Sequence, residues 1–512
     1  MPRFLFRHPL WALIVLALFV RLPFLRGELN DMDDWRQTDT ATMARNFLED
    51  PNPLHPRVDW AAPGPGYVES EFPLYTYTVH ALYRLTGERP LLGRWLSILI
   101  FLLSIPPFLR ISKRWFGPLG TILALCFFAF SPIVVRYSRA FMPEATVLCL
   151  YLWALDRFLL WLDEEGRGFP VFPAVLTAAA ILVKPTSLHI GWVYLGLLHA
   201  RSGPKGLLRP RILGFGLLCL LPPLAWYLYA AWLHRTFGNT FGVISGGDSK
   251  WGDLSWWTSP FFYLSLLSIE AKWVLGWGGL FLAFLGVFSF PREGRRFYRS
   301  GLLALFLYYL LVARYCGHEG RGTQYHLYAA PWLAWGATAG FSALFEYGKR
   351  GLQVAAVALL ALCFQSGLSI GRVWLARHGK ELAAAGHALR EISSPDDLAV
   401  VLGADPAWDR NQVANNFEDP RVFYHARRRG RVLASDRQDP ARLAEVLGCG
   451  ARWFVNFPWI NRSAGPGFRE ALEQRTILRR EGPGFEIREV RNPRHDPVRF
   501  PKDGRRPPEP GR

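Results

Sequence analysis

Uncharged apolar runs recur from the first residues to about residue 370, and they leave this chain few possible folds. Ile98–Leu109, Leu119–Val134 and Leu352–Leu362 carry no charge at all. With 51% hydrophobic and 20% charged residues over 512 positions, the chain is too apolar in long blocks for a soluble enzyme. The runs predict eleven spans. These are about Leu10–Leu25, Leu91–Leu109, Leu119–Val135, Phe141–Leu160, two short spans within Val171–Leu198, Ile212–Ala231, Ala271–Phe290, Leu302–Val312, Tyr325–Leu344 and Leu352–Ile370. Lys184-Pro185 breaks the Val171–Leu198 stretch, as a corner between two spans or a kink in one helix. Arg21 and Pro23 place the end of the first span near the interface, with the arginine snorkelling to water. Arg3 and Arg7 precede that span without a small-residue cleavage site after it, which reads as an uncleaved anchor.

The net charge of +18 is spread over short links and the tail, so it reads as topology signal and attraction to anionic headgroups or phosphates, with no nucleic-acid partner. Placing the amino terminus inside puts Arg110/Lys113/Arg114, Arg157/Arg167, Arg201/Lys205/Arg209/Arg211, Arg292/Arg295/Arg296/Arg299 and Lys349/Arg350 all on the inner side. The outer face then holds loops 26–90 and 232–270, the short links at Arg136–Ala140, Lys184 and Arg314–Gln324, and the tail. Five of the six cysteines lie in or beside apolar runs and Cys449 stands alone, so no disulfide is required.

The tail changes character. Glu381–Glu391 and Ala441–Leu447 predict helices, and Asp397–Gly403 and Arg452–Phe457 predict strands, which together suggest a small α/β domain over 372–490. The proline-rich basic stretch 491–512 predicts disorder. The expected fold class is thus an all-α polytopic membrane protein, 1–371, with a small C-terminal α/β exterior domain.

The first exterior loop concentrates the chemistry. It opens Asn30-Asp31-Met32-Asp33-Asp34-Trp35-Arg36-Gln37-Thr38-Asp39, runs into a helix over Ala41–Phe47, and ends Glu69-Ser70-Glu71-Phe72-Pro73-Leu74-Tyr75. Carboxylates beside a bilayer face water or line a cavity open to it. A transporter would place its polar groups near mid-membrane on broken helices in paired repeats. Here they gather at the exterior ends and no matching halves are visible, which favours chemistry at the outer interface.

Four segments carry a family resemblance: Trp35–Phe47, Glu71-Phe72-Pro73-Leu74-Tyr75, Arg139-Ala140-Phe141-Met142-Pro143-Glu144 and Leu182-Val183-Lys184-Pro185. Together with Gln324–Pro331, they resemble the bacterial family 39 glycosyltransferases. That family belongs to the GT-C superfamily, with the protein O-mannosyltransferases and the enzyme that adds aminoarabinose to lipid A. The resemblance spans about residues 8–370. It implies an inverting transfer of a sugar from a polyprenyl-phosphate carrier to an envelope lipid, glycan or protein. The enzyme would be a multi-pass protein of the bacterial inner membrane, with its C-terminal domain periplasmic or extracellular and membrane lipids as further partners. It leaves a divalent metal ion possible and implies no other cofactor.

In that reading the leaving group is already a phosphate. It needs cations and donors more than a protonated acid, while the acceptor hydroxyl needs one base. Asp39, Asp34 and Glu71 are the candidate carboxylates. The family pattern has an Asp-Glu pair where this chain has Arg36-Gln37, so the base does not transfer directly. Glu71 keeps its place before Pro73-Leu74, although some relatives carry Lys where Phe72 stands. The structural alternatives are a helix cap for Asp39, a solvated loop position for Asp34 and a helix-start acid for Glu71. Asp31 and Asp33 read as bland. Arg36, Arg45, Arg139 and Lys184 are the candidate phosphate clamp, with interfacial snorkelling as the alternative for each. Glu144 either pairs with Arg139 or takes part directly. His326, beside Tyr325 and Tyr328, is a candidate donor to phosphate under an aromatic cover, and an interface belt is its alternative. His318, Glu319 and His326 match no zinc spacing. Trp408, Tyr424 and Arg428 resemble positions of the exterior domain in some family members, and outer-loop Asn239, Asp248 and Asp253 lie where an acceptor could be covered. A flippase or exporter without transfer chemistry, or a scaffold for envelope assembly, would share these features.

Overall fold

The computed structural model describes residues 9–164, 168–244, 250–318, 322–408, 414–460, 464 and 466–491. Arg3, Arg7, Arg167, Asp248, Glu319, Arg321 and the proline-rich tail after Arg491 lie outside the described residues. The chain divides into two compact units. One comprises Met1–Gly27, Leu91–Ala225 and Lys250–Ala376; the other comprises Glu28–Pro90, Trp226–Ser249 and Arg377–Arg512.

The first unit is helical. Among the described residues, five helices are long and apolar enough to cross a bilayer: Pro90–Trp115, Glu144–Asp163, Pro210–Phe237, Pro260–Ser289 and the one that begins at Gly348. Pro9–Arg21, Pro118–Ala129 and Val171–Val183 are apolar but shorter, so helix length by itself does not yield the expected eleven spans. The Val171–Leu198 stretch is two helices. Val171–Val183 ends at Lys184, whose backbone is extended, and a 3-10 turn over Pro185–His189 leads into Ile190–Leu207. Pro185 causes the break, because its ring drives the preceding residue out of the helical region.

Arg21 departs from the expected snorkelling: it is fully buried. Its Nε donates to Ser138 Oγ at 2.6 Å, its two terminal nitrogens donate to the carbonyls of Ala17 and Ala129, and the guanidinium lies 3.6 Å from the Phe101 ring centroid. Protein partners replace the water that a snorkelling arginine seeks. Asp156, also buried, takes a forked bond from Arg110 at 2.9–3.1 Å and a further bond from Arg157. Helices Gly276–Ser289 and Ala329–Glu346 meet backbone to backbone, since a Cβ on Gly286 would run into the Gly336 carbonyl and one on Gly340 into that of Leu282. Small residues permit this approach, and dispersion along the whole contact line rewards it.

The second unit joins the Glu28–Pro90 segment to the tail. Its sheet comprises β1 (Ala399–Leu402), β2 (Gly430–Leu433), β3 (Trp453–Asn456), β4 (Thr476–Gly482) and β5 (Phe485–Val490), in the order β2-β1-β3-β5-β4. β1 pairs parallel with β2 and β3, and β5 pairs antiparallel with β3 and β4. The sequence predicted β1 and β3, whose residues are all buried. It missed β4, whose middle is exposed and charged and carries no apolar alternation. The Glu28–Pro90 segment covers the β2 edge: Gly430 N donates to the Asp59 carbonyl, Ala62 N to the Gly430 carbonyl, both at 2.9 Å, and Arg431 Nε to the Ala62 carbonyl at 2.8 Å.

Two further ties cross the same unit. Arg421 donates to Asp34 at 2.9 Å and to Asp419 at 2.6 Å, and Arg427 pairs with Glu88. Removing one partner of a buried pair costs about 3–5 kcal/mol, whereas exposed pairs contribute about 0–1 kcal/mol. Arg421→Met is therefore expected to lower the melting temperature of detergent-solubilised protein clearly. Arg479→Met, which removes the half-exposed partner of Glu489, is expected to shift it little; equal shifts would contradict the structural role given to Arg421.

Candidate functional site

Helix Asp34–Asn46 carries four of the predicted site residues, Asp34, Arg36, Asp39 and Arg45, and it begins before the expected start at Ala41. Its first turns are polar and lack an apolar stripe, which hid them from a periodicity reading, yet Gln37 through Ala44 are all buried. Asp39 is consequently mid-helix and caps nothing. Its Oδ1 accepts from Trp60 Nε1 at 3.1 Å. Burial pushes its carboxyl up to about 8, with Arg36 one turn away only partly offsetting that. Asp34 is the first helical residue. Its Oδ1 accepts from Trp35 N at 2.9 Å and its Oδ2 from Arg421, and burial raises its pKa despite that arginine.

Glu71 meets Arg36 at 2.6 Å, with side-chain exposures of 15% and 26%, so water still reaches this ion pair. Its position is set on both sides. Just before it, buried Glu69 accepts from Ile244 N at 2.8 Å and from the Thr240 hydroxyl, and its backbone bridges Asn239 and Phe241. Ser70's carbonyl accepts from Trp226 Nε1 at 3.1 Å, and just after Glu71 the Phe72 ring meets that indole edge-on at 5.0 Å. Phe241 backs the Arg36 guanidinium, 4.7 Å from the ring centroid. Arg45 is committed inward, to Asp59 and to the Tyr424 carbonyl at 3.1 Å. Arg428 joins Ser393 to the end of helix Arg421–Ala426 through four donated bonds. Asp31 holds Gln37 Nε2 at 2.6 Å.

The remaining predicted residues belong to the helical unit. Lys184 pairs with Glu144, the first residue of its helix, and its Nζ lies 5.8 Å from the Tyr325 ring centroid. Glu144 thus pairs with Lys184 in place of Arg139. Arg139 donates to the carbonyls of Pro23 and Val373. His326 places Nδ1 2.7 Å from Glu270 Oε1 and Nε2 2.8 Å from the Cys316 carbonyl, so both ring nitrogens are engaged and neither faces a metal. Glu270 also accepts from the Tyr309 hydroxyl, and it opens a π-helical turn, Glu270–Leu275. The sequence reading passed over Glu270 as the end of a loop. The available signal was an acid entering an apolar segment, and the π-turn that aims it is visible only in three dimensions.

The Asp39 environment has a measurable consequence. Its carboxyl titrates near 8 in the fold and at about 3.9 unfolded, so between those values the unfolded chain releases a proton that the fold retains. Stability then falls as pH rises from about 4 to 8. Asn in place of Asp39 has no proton to lose, so Asp39→Asn is expected to gain on wild type in melting temperature from pH 5 to pH 8. A constant difference would refute the assignment.

Residues 69–229 match the family described as dolichyl-phosphate-mannose-protein mannosyltransferase. The match includes Glu71, Arg139, Glu144 and Lys184. No curated protein sequence matches the chain. Among solved structures, ArnT from Cupriavidus metallidurans in the apo state is similar over 96% of this chain and 98% of its own, at 13% identity and TM-score 0.64. The same protein bound to undecaprenyl phosphate is similar over 93% and 96%, at 13% identity and TM-score 0.58. The Archaeoglobus fulgidus oligosaccharyltransferase tethered to an acceptor peptide is similar over 91% of this chain and 72% of its own, at 12% identity and TM-score 0.54. With its apolar helices, this chain is a multi-pass membrane protein that shares the fold of these structures, and its residues 69–229 match that family.

Proposed function

We propose that the chain is an inverting glycosyltransferase. It moves a sugar from a polyprenyl-phosphate donor onto an envelope lipid, glycan or protein at the outer face of the bacterial inner membrane. The observation that carries the reading is the water-accessible Glu71–Arg36 pair, held at the start of the family match by Glu69, Ser70 and Phe72. The undecaprenyl phosphate bound to ArnT supports a lipid-phosphate donor, and the acceptor peptide tethered to the archaeal enzyme supports a protein acceptor.

In the proposed step, an acceptor hydroxyl oxygen attacks the anomeric carbon and its proton passes to Glu71. The bond from that carbon to the phosphate oxygen breaks, and its electron pair leaves with the lipid phosphate. Arg36, 2.6 Å away, holds the Glu71 side chain in place before the acceptor arrives. Asp39, protonated at neutral pH and buried, is a poorer base than Glu71; Asp34 is committed to Arg421. The roles in the helical unit follow from chemistry. Within the helical unit taken by itself, Lys184, held by Glu144, is the cation available to a lipid phosphate, with Tyr325 beside it, while Arg139 and the His326–Glu270 pair hold their segments in place. Arg45 is likewise a support. Eleven crossings, the amino terminus inside and an exterior tail complete the reading, with the apolar helices and the inner-side basic clusters as its support.

Radiolabelled polyprenyl-phosphate sugars, offered with an envelope extract to protein in nanodiscs, test this. Wild type is expected to label an acceptor, and Glu71→Gln is expected to lower the rate by about two orders of magnitude, the scale of a lost general base. Asp34→Asn should lose stability more than rate. Lipid translocation without transfer would replace the proposal with the exporter reading, and full activity in Glu71→Gln would remove Glu71 as base.

A further inference from the structure

Away from the Glu71 site, the second unit brings together two imidazoles and a carboxylate. Glu28, His387 and His425 present ligand atoms that all lie within 4.8 Å of one another. His387 Nε2 stands 2.9 Å from Glu28 Oε1, and the two imidazole centroids are 5.0 Å apart at 58°. His425 is buried on helix Arg421–Ala426, whereas the His387 and Glu28 side chains are about half exposed, 46% and 51%. The cluster therefore has one fixed ligand and two that water can reach.

Its assembly has a local cause. A Cβ on Gly386 would lie 2.6 Å from the His425 Cβ and 2.8 Å from the Val422 carbonyl oxygen. Only glycine lets helix Lys380–Ile392 approach helix Arg421–Ala426 this closely, and the approach sets His387 beside His425. Two cations have charge reaching this point, Arg45 and Arg421. Each is neutralised in place, Arg45 by Asp59 and Arg421 by Asp419 and Asp34.

We propose that Glu28, His387 and His425 bind a divalent cation of the zinc class, with water in the fourth position. Two imidazole nitrogens and one carboxylate oxygen are a donor set that suits zinc and its first-row neighbours. Donors 2.0–2.1 Å from a tetrahedral ion stand about 3.3 Å apart, a closure that rotation of the two exposed side chains supplies. The ion would join the start of the first exterior segment to two helices of the tail, at ligands 359 residues apart in sequence for Glu28 and His387. All three ligands fall outside the matched residues 69–229 and none belongs to the proposed transfer step, so the role is a cross-link.

Tag-free, chelator-stripped full-length protein titrated with Co²⁺ tests this. One equivalent should bind with the visible bands of a four-coordinate ion, and Zn²⁺ should displace it. His387→Ala should lose the bands, and Glu28→Gln should weaken binding at least about tenfold, the loss seen even for outer partners of a metal. Zn²⁺ should raise the melting temperature of wild type and leave that of His387→Ala unchanged. Because His387 is half exposed, its variant should melt like wild type without metal, which separates a lost ligand from a lost fold. Gly386→Val is expected to abolish the bands with all three ligands present. No stoichiometric uptake by wild type, or equal uptake by His387→Ala, overturns the site.

Discussion

Charges that are buried must be paired, and helix Asp34–Asn46 shows how far that requirement organises the second unit. An isolated carboxylate or guanidinium out of water costs several kcal/mol. This helix nevertheless buries Asp34, Asp39 and much of Arg45. Each is met by a residue distant in sequence: Asp34 by Arg421, Asp39 by the Trp60 indole, Arg45 by Asp59 and the Tyr424 carbonyl. The Glu28–Pro90 segment and the tail are consequently one folded unit, and Arg36 and Glu71 stand where that packing thins enough to admit water. A tail that supplies Arg421 and Tyr424 is part of what positions the first-loop carboxylates.

The helical unit solves the same problem by different means. Glycines bring backbones together along Gly276–Ser289 and Ala329–Glu346, while its buried polar groups are concentrated in a few closed sets: Arg21 with Ser138, Glu144 with Lys184, and Glu270 with His326 and Tyr309. Lys184 and Glu270 both stand where regular helix is interrupted, one at an extended residue before Pro185 and the other in a π-turn. An interrupted ladder aims a side chain that a continuous helix would point elsewhere.

Much of this was legible in the sequence, for physical reasons that also explain what was not. Apolar runs reported the helices because lipid and core select the same residues, and Pro185 reported the break at Lys184. β1 and β3 were readable as buried strands, but the edge strand β4 faces water with Arg479 and Arg480 and offers no pattern. The start of helix Asp34–Asn46 was unreadable because its burial is achieved through polar pairing. Glu71 kept its motif, so it could be named; Arg36 was named with Arg45, Arg139 and Lys184 as a phosphate clamp, and no spacing singled it out as the arginine that meets Glu71. Glu270 and the His387–His425 pair depend on contacts between distant segments, to which no local spacing corresponds.

The most direct test of the account is the anomeric configuration of the transferred sugar, determined by NMR on product made from a donor of known configuration. One base and a phosphate leaving group allow a single displacement, so the product should carry the configuration opposite to the donor's. A product with the donor's configuration would require a second, covalent nucleophile and would contradict the role given to Glu71.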